Sequence, residues 1–235
     1  MPKSNRELAS RISGGALSVR APWGGLGTGV VVNRRILTAA HVVLPSDRSK
    51  ALLQSLVYDV GIGRSRCPCK LAAFEERLDL AIRRPLETSV SCEWNSFSIS
   101  SDAHIGDDIW IAGYPFGVDV PLVRRGAISS IVMPEEITVI DRDMFISRHA
   151  TFPSYWLDVP VFEGNSGGPI INSEGDLIGI ALQTLSRRFE SGLIDPQTGE
   201  AQMIPVYLDI GVALRLDIAL GALGLSFTLD PIPST

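Results

Sequence analysis

Histidine and cysteine are both scarce in this chain, three of each among 235 residues. The cysteines, Cys67, Cys69 and Cys92, all fall in the first half, which argues against a disulfide framework and for free thiols. The Cys-Pro-Cys spacing offers two ligands where a zinc site takes about four. The histidines, His41, His104 and His149, are too scattered to supply the rest, so no metal and no other cofactor is expected. Long apolar runs are missing too, since no stretch approaches the roughly eighteen residues of a membrane-spanning helix. The first ten residues, Met-Pro-Lys-Ser-Asn-Arg-Glu-Leu-Ala-Ser, hold neither the apolar segment nor the cleavage site of a secretory leader. These absences point to a cytoplasmic protein with no membrane partner. Charge of one sign is also lacking. There are 21 Lys and Arg against 26 Asp and Glu, a formal net charge of −5. The arginines come as dispersed pairs, such as Arg34-Arg35, Arg83-Arg84, Arg124-Arg125 and Arg187-Arg188. Without a basic stripe to neutralise phosphates, nucleic acid is not an expected partner.

What the chain does have is a succession of short strand-like runs. After a short helical pattern over 4–12, in which Leu8 and Ile12 fall on one face, candidate strands lie at 15–20, 27–33, 35–38, 52–60, 69–74, 78–83 and 97–99. A second set follows at 109–113, 120–129, 156–160, 168–172 and 175–183. Short strands separated by turns argue for an all-β sandwich or barrels. The loop at 84–97 suggests a boundary near residue 100, giving a first unit over 1–100 and a second over 101–235. Charged and Pro/Gly-rich stretches at 133–155 and 186–203 read as long loops, the kind that compact domains keep for function. From Ile210 through Leu223 the apolar spacing reads as a terminal helix.

Chemistry concentrates in three places. Residues 162–170 read Phe-Glu-Gly-Asn-Ser-Gly-Gly-Pro-Ile, with Ser166 set among glycines. A nucleophile needs an open approach, and the oxyanion it creates needs backbone N–H donors that no side chain obstructs. The same pattern also fits a glycine-rich turn, so the rest of the chain must decide. His41 follows a strand-like stretch within Leu-Thr-Ala-Ala-His-Val-Val, and Asp79 is a lone carboxylate in the apolar run Leu-Asp-Leu-Ala-Ile. A buried carboxylate calls for a hydrogen-bond donor, and an imidazole N–H would serve. The order His, Asp, Ser is that of the chymotrypsin-type double barrel. Gly164-Asn-Ser166-Gly-Gly168 also satisfies Gly-x-Ser-x-Gly, but no histidine follows Ser166, which removes the α/β-hydrolase order of Ser, acid, His.

At these residues the chain resembles the trypsin-like serine peptidases, and among them the HtrA/Deg-type branch. The resemblance is carried by Gly27-Thr28-Gly29-Val30-Val31, Ile36 to Val43, Asp79-Leu80-Ala81-Ile82 and Ala112-Gly113-Tyr114-Pro115-Phe116-Gly117. It continues through Arg125 to Ser129, Gly164 to Ile170 and Gly175 to Ile180, and covers roughly residues 12–220. It implies two antiparallel β-barrels, with His41 and Asp79 on the first and Ser166 on the second, plus short N- and C-terminal helices. Ser166 is then the nucleophile, His41 the general base and Asp79 the group that orients it, with the Gly164 and Ser166 N–H groups as oxyanion hole. Asn165 replaces the aspartate that pairs with a freed amine in digestive relatives, which implies control by loop ordering. Pro160, six before the nucleophile, falls at the base of the specificity pocket, with Glu163 at its rim and Leu182 and Gln183 on the opposite wall. With no carboxylate there, an apolar residue is the expected side chain before the scissile bond. The expected partners are a protein or peptide substrate and an activating partner. No length remains for the PDZ domain that HtrA-type enzymes commonly carry. The alternative is a catalytically silent trypsin-like fold used as a protein-binding module.

Overall fold

The computed structural model describes residues 4–45, 56–62, 65–86, 94–133, 152–194, 196–199 and 201–222. Helix α1 spans Asn5–Ser13 and opens with a capping box. Ser4 N–H donates to Glu7 Oε2 at 2.8 Å, and Glu7 N–H donates to Ser4 Oγ at 3.3 Å, an arrangement worth about 1 kcal/mol. Leu8 and Ile12, four residues apart on one face, are the side chains it buries.

Six strands follow and close into a barrel: β1 (Ala16–Arg20), β2 (Leu26–Val32), β3 (Arg35–Ala39), β4 (Val57–Ile62), β5 (Ser65–Glu75) and β6 (Leu80–Pro85), in the order β1-β2-β3-β6-β5-β4. The β2–β3 connection has two residues, Asn33 and Arg34, with φ of 46° and 62°. That is the primed turn whose twist matches a hairpin. It sets Gly29 opposite Thr38 and runs β3 directly into helix α2 (Ala40–Val43), which carries His41. A second closed barrel contains β7 (Asp108–Gly113), β8 (Leu122–Val132), β9 (Ser154–Leu157), β10 (Pro169–Asn172), β11 (Leu177–Ile194) and β12 (Ala201–Arg215). Its order is β10-β11-β12-β9-β8-β7, and α3 (Leu216–Ala222) follows it. The architecture is the all-β, chymotrypsin-like double barrel that the motif order implies.

Buried side chains form two clusters. One centres on Val30, Leu37, Val60 and Leu80 and runs on into Ile171, Leu177 and Leu214 of the second barrel. The other, with Ile109, Ile111, Leu157 and Ile170, lies within the second barrel. The first cluster encloses an unusual charge. Arg83 is fully buried, its guanidinium carbon lies 3.1 Å from the centre of the Tyr58 ring, and none of its nitrogens has a hydrogen-bond partner. Burial pulls its pKa down to about 9.

Three expectations are corrected. The 186–203 segment is a hairpin rather than a loop, with Ser186 opposite Tyr207 and Ile194 opposite Ala201. Backbone pairing outweighs its Gly and Pro content. The apolar residues from Ile210 belong to strand β12, and only Leu216–Ala222 is helical. Gly211 to Leu214 is buried between β9 and β11, and a run buried on both faces shows no period that separates strand from helix. Cys67 is disulfide-bonded, whereas Cys69 is a free buried thiol; a cysteine count does not reveal such pairing. Most of the expected 133–155 loop lies outside the described residues, and β9 begins at Ser154. No helix among the described residues is long and apolar enough to cross a membrane.

Candidate active site

The acid–base pair is built by one rung of the first barrel. Ala39, the last residue of β3, pairs with Leu80, the first of β6, so the residues just beyond, Ala40-His41 and Asp79, must meet. Asp79 adopts φ of 52°, a left-handed conformation that aspartate tolerates better than most residues. Its carbonyl accepts the Ala40 N–H at 2.9 Å. Its side chain, 3% exposed, takes both donors of His41: Oδ1 accepts the backbone N–H at 2.8 Å and Oδ2 faces Nδ1 at 2.6 Å. A carboxylate can only accept, so the proton is on Nδ1 and the lone pair is on Nε2. The imidazole is 42% exposed and therefore reachable.

Ser166 sits on the turn that leads into β10. Two glycines make the turn possible. Gly164 has φ of 90°, and a Cβ there would lie 2.2 Å from the Tyr114 carbonyl oxygen; Gly167 has φ of 86°, and a Cβ would lie 2.1 Å from that of Thr28. Thr28 on β2 fastens this turn to the first barrel. Its N–H donates to Ser166 O at 2.8 Å, and its hydroxyl donates to Gly164 O at 2.7 Å while accepting Tyr114 N–H at 3.1 Å. The turn therefore packs beside Ala39 and Val42, the neighbours of His41. Within it, the N–H groups of Asn165, Gly167 and Gly168 donate to Phe162 O, Ala181 O and Asn165 O. Those of Gly164 and Ser166 donate to no acceptor among the described residues. The Glu163 carbonyl is held by Phe116 N–H at 2.8 Å. Because a trans peptide points its N–H opposite its C=O, this bond turns the Gly164 N–H away from Phe116.

The remaining sequence-predicted residues line the same cleft unevenly. Pro160 is half-buried between Val159 and Val161, which are 5% and 4% exposed, while Glu163 is exposed at the rim. Leu182 is buried and Gln183 half-buried. Leu182 is the extra residue of a bulge: Ala181 pairs with Ala213 and Gln183 with Val212. Bulges re-aim the groups they carry, and the Leu182 carbonyl accepts the Ser166 hydroxyl at 2.8 Å. The hydrogen bonds thus join His41 to Asp79 and Ser166 to Leu182. Asn165 is 3% exposed, and its Oδ1 has no hydrogen-bond partner. The sequence reading assigned no role to Thr28 or Thr184. Thr28 lies in the quoted Gly-Thr-Gly segment, while Thr184 carries no motif.

Known proteins share this arrangement. A family profile described as the trypsin-like peptidase domain matches residues 27–180, from β2 into β11. A protein named serine protease HtrA-like from Staphylococcus aureus (strain bovine RF122 / ET3-1) is 28% identical over 167 residues, covering 68% of this chain and 20% of the relative. Its counterpart from strain USA300 gives the same values. The chain spans about a fifth of the length of these curated relatives. Among solved structures, the inactive form of the Rv3671c protease has a TM-score of 0.65 at 18% identity, with 95% of each chain covered. Its active form from M. tuberculosis also has a TM-score of 0.65 at 18% identity, covering 95% of this chain and 86% of that one. The serine endoprotease from Yersinia pestis has a TM-score of 0.62 at 21% identity, with 95% and 66% covered. At these identities the structural likeness is one of fold. Together with the matched profile and the double barrel, it establishes that the chain belongs to the trypsin-like peptidase family.

Proposed function

We propose that the chain is a serine endopeptidase. Ser166 Oγ attacks the peptide carbonyl, His41 Nε2 takes its proton and returns it to the leaving amine, and water then releases the acyl group by the same route. Asp79 holds the tautomer and stabilises the imidazolium. The N–H groups of Gly164 and Ser166 receive the oxyanion, each worth on the order of 10²–10³ in turnover. What supports this reading most is the double engagement of His41 by one buried carboxylate, opposite a serine turn with two uncommitted N–H donors. Between Val159 and Val161, Pro160 offers no counter-charge for Lys or Arg, so an apolar residue precedes the scissile bond.

One observation favours a second reading, the silent binding module: the Ser166 hydroxyl is bonded to Leu182 O rather than to His41. On the peptidase reading this is a resting state. Leaving it exchanges one hydrogen bond for another at a cost of about 1 kcal/mol. Substrate, or a partner that orders the β11 edge, supplies the change. Labelling by a fluorophosphonate separates the two readings, since a working site is labelled in the wild type and loses labelling in both Ser166→Ala and His41→Ala. A cytoplasmic location stands as a proposal beside the disulfide at Cys67, which a reducing compartment disfavours. Counting free thiols in protein purified from its native compartment tests it.

A further inference from the structure

The cleft holds one pair of hydrogen bonds that the cleavage steps do not use. One wall is Val159-Pro160-Val161, which leads into the Ser166 turn. The other is β11 from Leu182 to Thr184, backed by Gly211 of β12, the partner of Thr184. These walls are in direct contact. A Cβ on Gly211 would lie 2.3 Å from the Val159 carbonyl oxygen and 3.1 Å from Val161 Cγ2, so only glycine lets the two strands approach this closely. Across the contact, a single hydroxyl serves both backbone groups of Val161. Thr184 Oγ1 accepts the Val161 N–H at 2.7 Å and donates to the Val161 C=O at 2.8 Å. The two walls are therefore stapled together two residues beyond the carbonyl that holds Ser166.

We propose that Thr184 is a specificity-determining residue, which closes the cleft so that the side chain before the scissile bond must be small, alanine or valine in size. This inference rests on the peptidase reading and narrows it. A larger side chain entering between the walls must part Thr184 from Val161. That leaves an N–H and a C=O beside Val161 unsatisfied in a buried place, a cost that opposes binding. A methyl or isopropyl group stops short of the staple. The hydroxyl matters here as well as the bulk: valine at 184 would match the shape of threonine yet orphan both groups of Val161, whereas serine would preserve the bonds.

The test measures kcat/KM on peptides that differ only in the residue before the scissile bond, alanine, valine, leucine or phenylalanine. Wild type, Thr184→Gly, Thr184→Ser and Thr184→Val are compared, with fluorophosphonate labelling of Ser166 as a readout blind to that residue. Wild type is expected to favour alanine and valine over phenylalanine by about tenfold or more, a ratio within reach of pocket size alone. Thr184→Gly should raise the phenylalanine-to-alanine ratio by about tenfold, while Thr184→Ser keeps the wild-type profile and Thr184→Val does not. A wild-type preference for leucine or phenylalanine overturns the inference. So does an unchanged ratio in Thr184→Gly that still labels fully. If wild type neither labels nor cleaves, the peptidase reading fails and takes the inference with it, an outcome set apart by the absent labelling.

Discussion

In the first barrel, pairing of Ala39 with Leu80 brings Asp79 against Ala40 and His41, and three hydrogen bonds lock the acid to the base before any substrate arrives. In the second, the nucleophile rides on a turn fastened across the cleft by Thr28, and its hydroxyl is turned toward the bulged Leu182 of its own barrel. The two halves are thus prepared differently. The acid–base half depends on neighbours along one sheet, so it is stable wherever that sheet forms. The nucleophile half depends on contacts between barrels and on the β11 edge, the same edge that a substrate backbone is proposed to meet. Control of activity therefore belongs to the second barrel, and loss of the first-barrel pair should destroy activity without a graded response.

The largest break in this comparison comes from the chemistry itself. Asp79→Asn is expected to lower turnover by about 10⁴ through the wrong histidine tautomer, measured as hydrolysis of an alanyl peptide with the fold monitored by circular dichroism. Next in size is Gly164→Ala, where the side chain would meet Tyr114 O and a φ of 90° is strained. Displacing one oxyanion donor should cost on the order of 10²–10³ in kcat with KM little changed. Thr28→Val keeps the shape but orphans Gly164 O and Tyr114 N–H in a fully buried place. It should reduce kcat between about tenfold and a hundredfold by shifting the serine turn and lower stability by about 1–3 kcal/mol for each orphaned group, read from urea midpoints.

The smallest effect on activity, and the clearest on stability, concerns Arg83. Its charge is buried in the first barrel without a hydrogen-bond partner, so Arg83→Met should stabilise the protein by about 1–4 kcal/mol at neutral pH and leave kcat unchanged. The pH dependence has a definite sign. Because the folded pKa is pulled from 12.5 down to about 9, the unfolded chain holds more protons between these values, and wild-type stability rises with pH across that window. Urea midpoints at pH 8 and pH 10.5 should show that rise in wild type and lose this contribution in Arg83→Met.

Much of the catalytic half was legible in the sequence, because His41 and Asp79 lie in strand-flanked apolar runs whose order identified the double barrel. Ser166 and its glycines were legible for a related reason: a left-handed, side-chain-free turn leaves a compositional trace. The hairpin at 186–203 left none, since Gly, Pro and charged residues read as loop until two strands pair. The strand from Ile210 was read as helix because a segment buried on both faces carries no alternation. Thr28 and Thr184 escaped notice for another reason. Each acts through backbone groups far away in sequence, Gly164 and Val161, and a threonine within a strand looks the same whether or not its hydroxyl bridges to another segment. The disulfide at Cys67 likewise depends on a spatial approach that composition does not record.

The most direct measurement is the site and stoichiometry of fluorophosphonate modification, read by peptide mass spectrometry in wild type, Ser166→Ala and His41→Ala. A triad peptidase gives a single adduct on Ser166 in wild type and none in either variant. An adduct elsewhere, or one on Ser166 that persists at the wild-type rate in His41→Ala, would contradict the assignment of these residues as nucleophile and base.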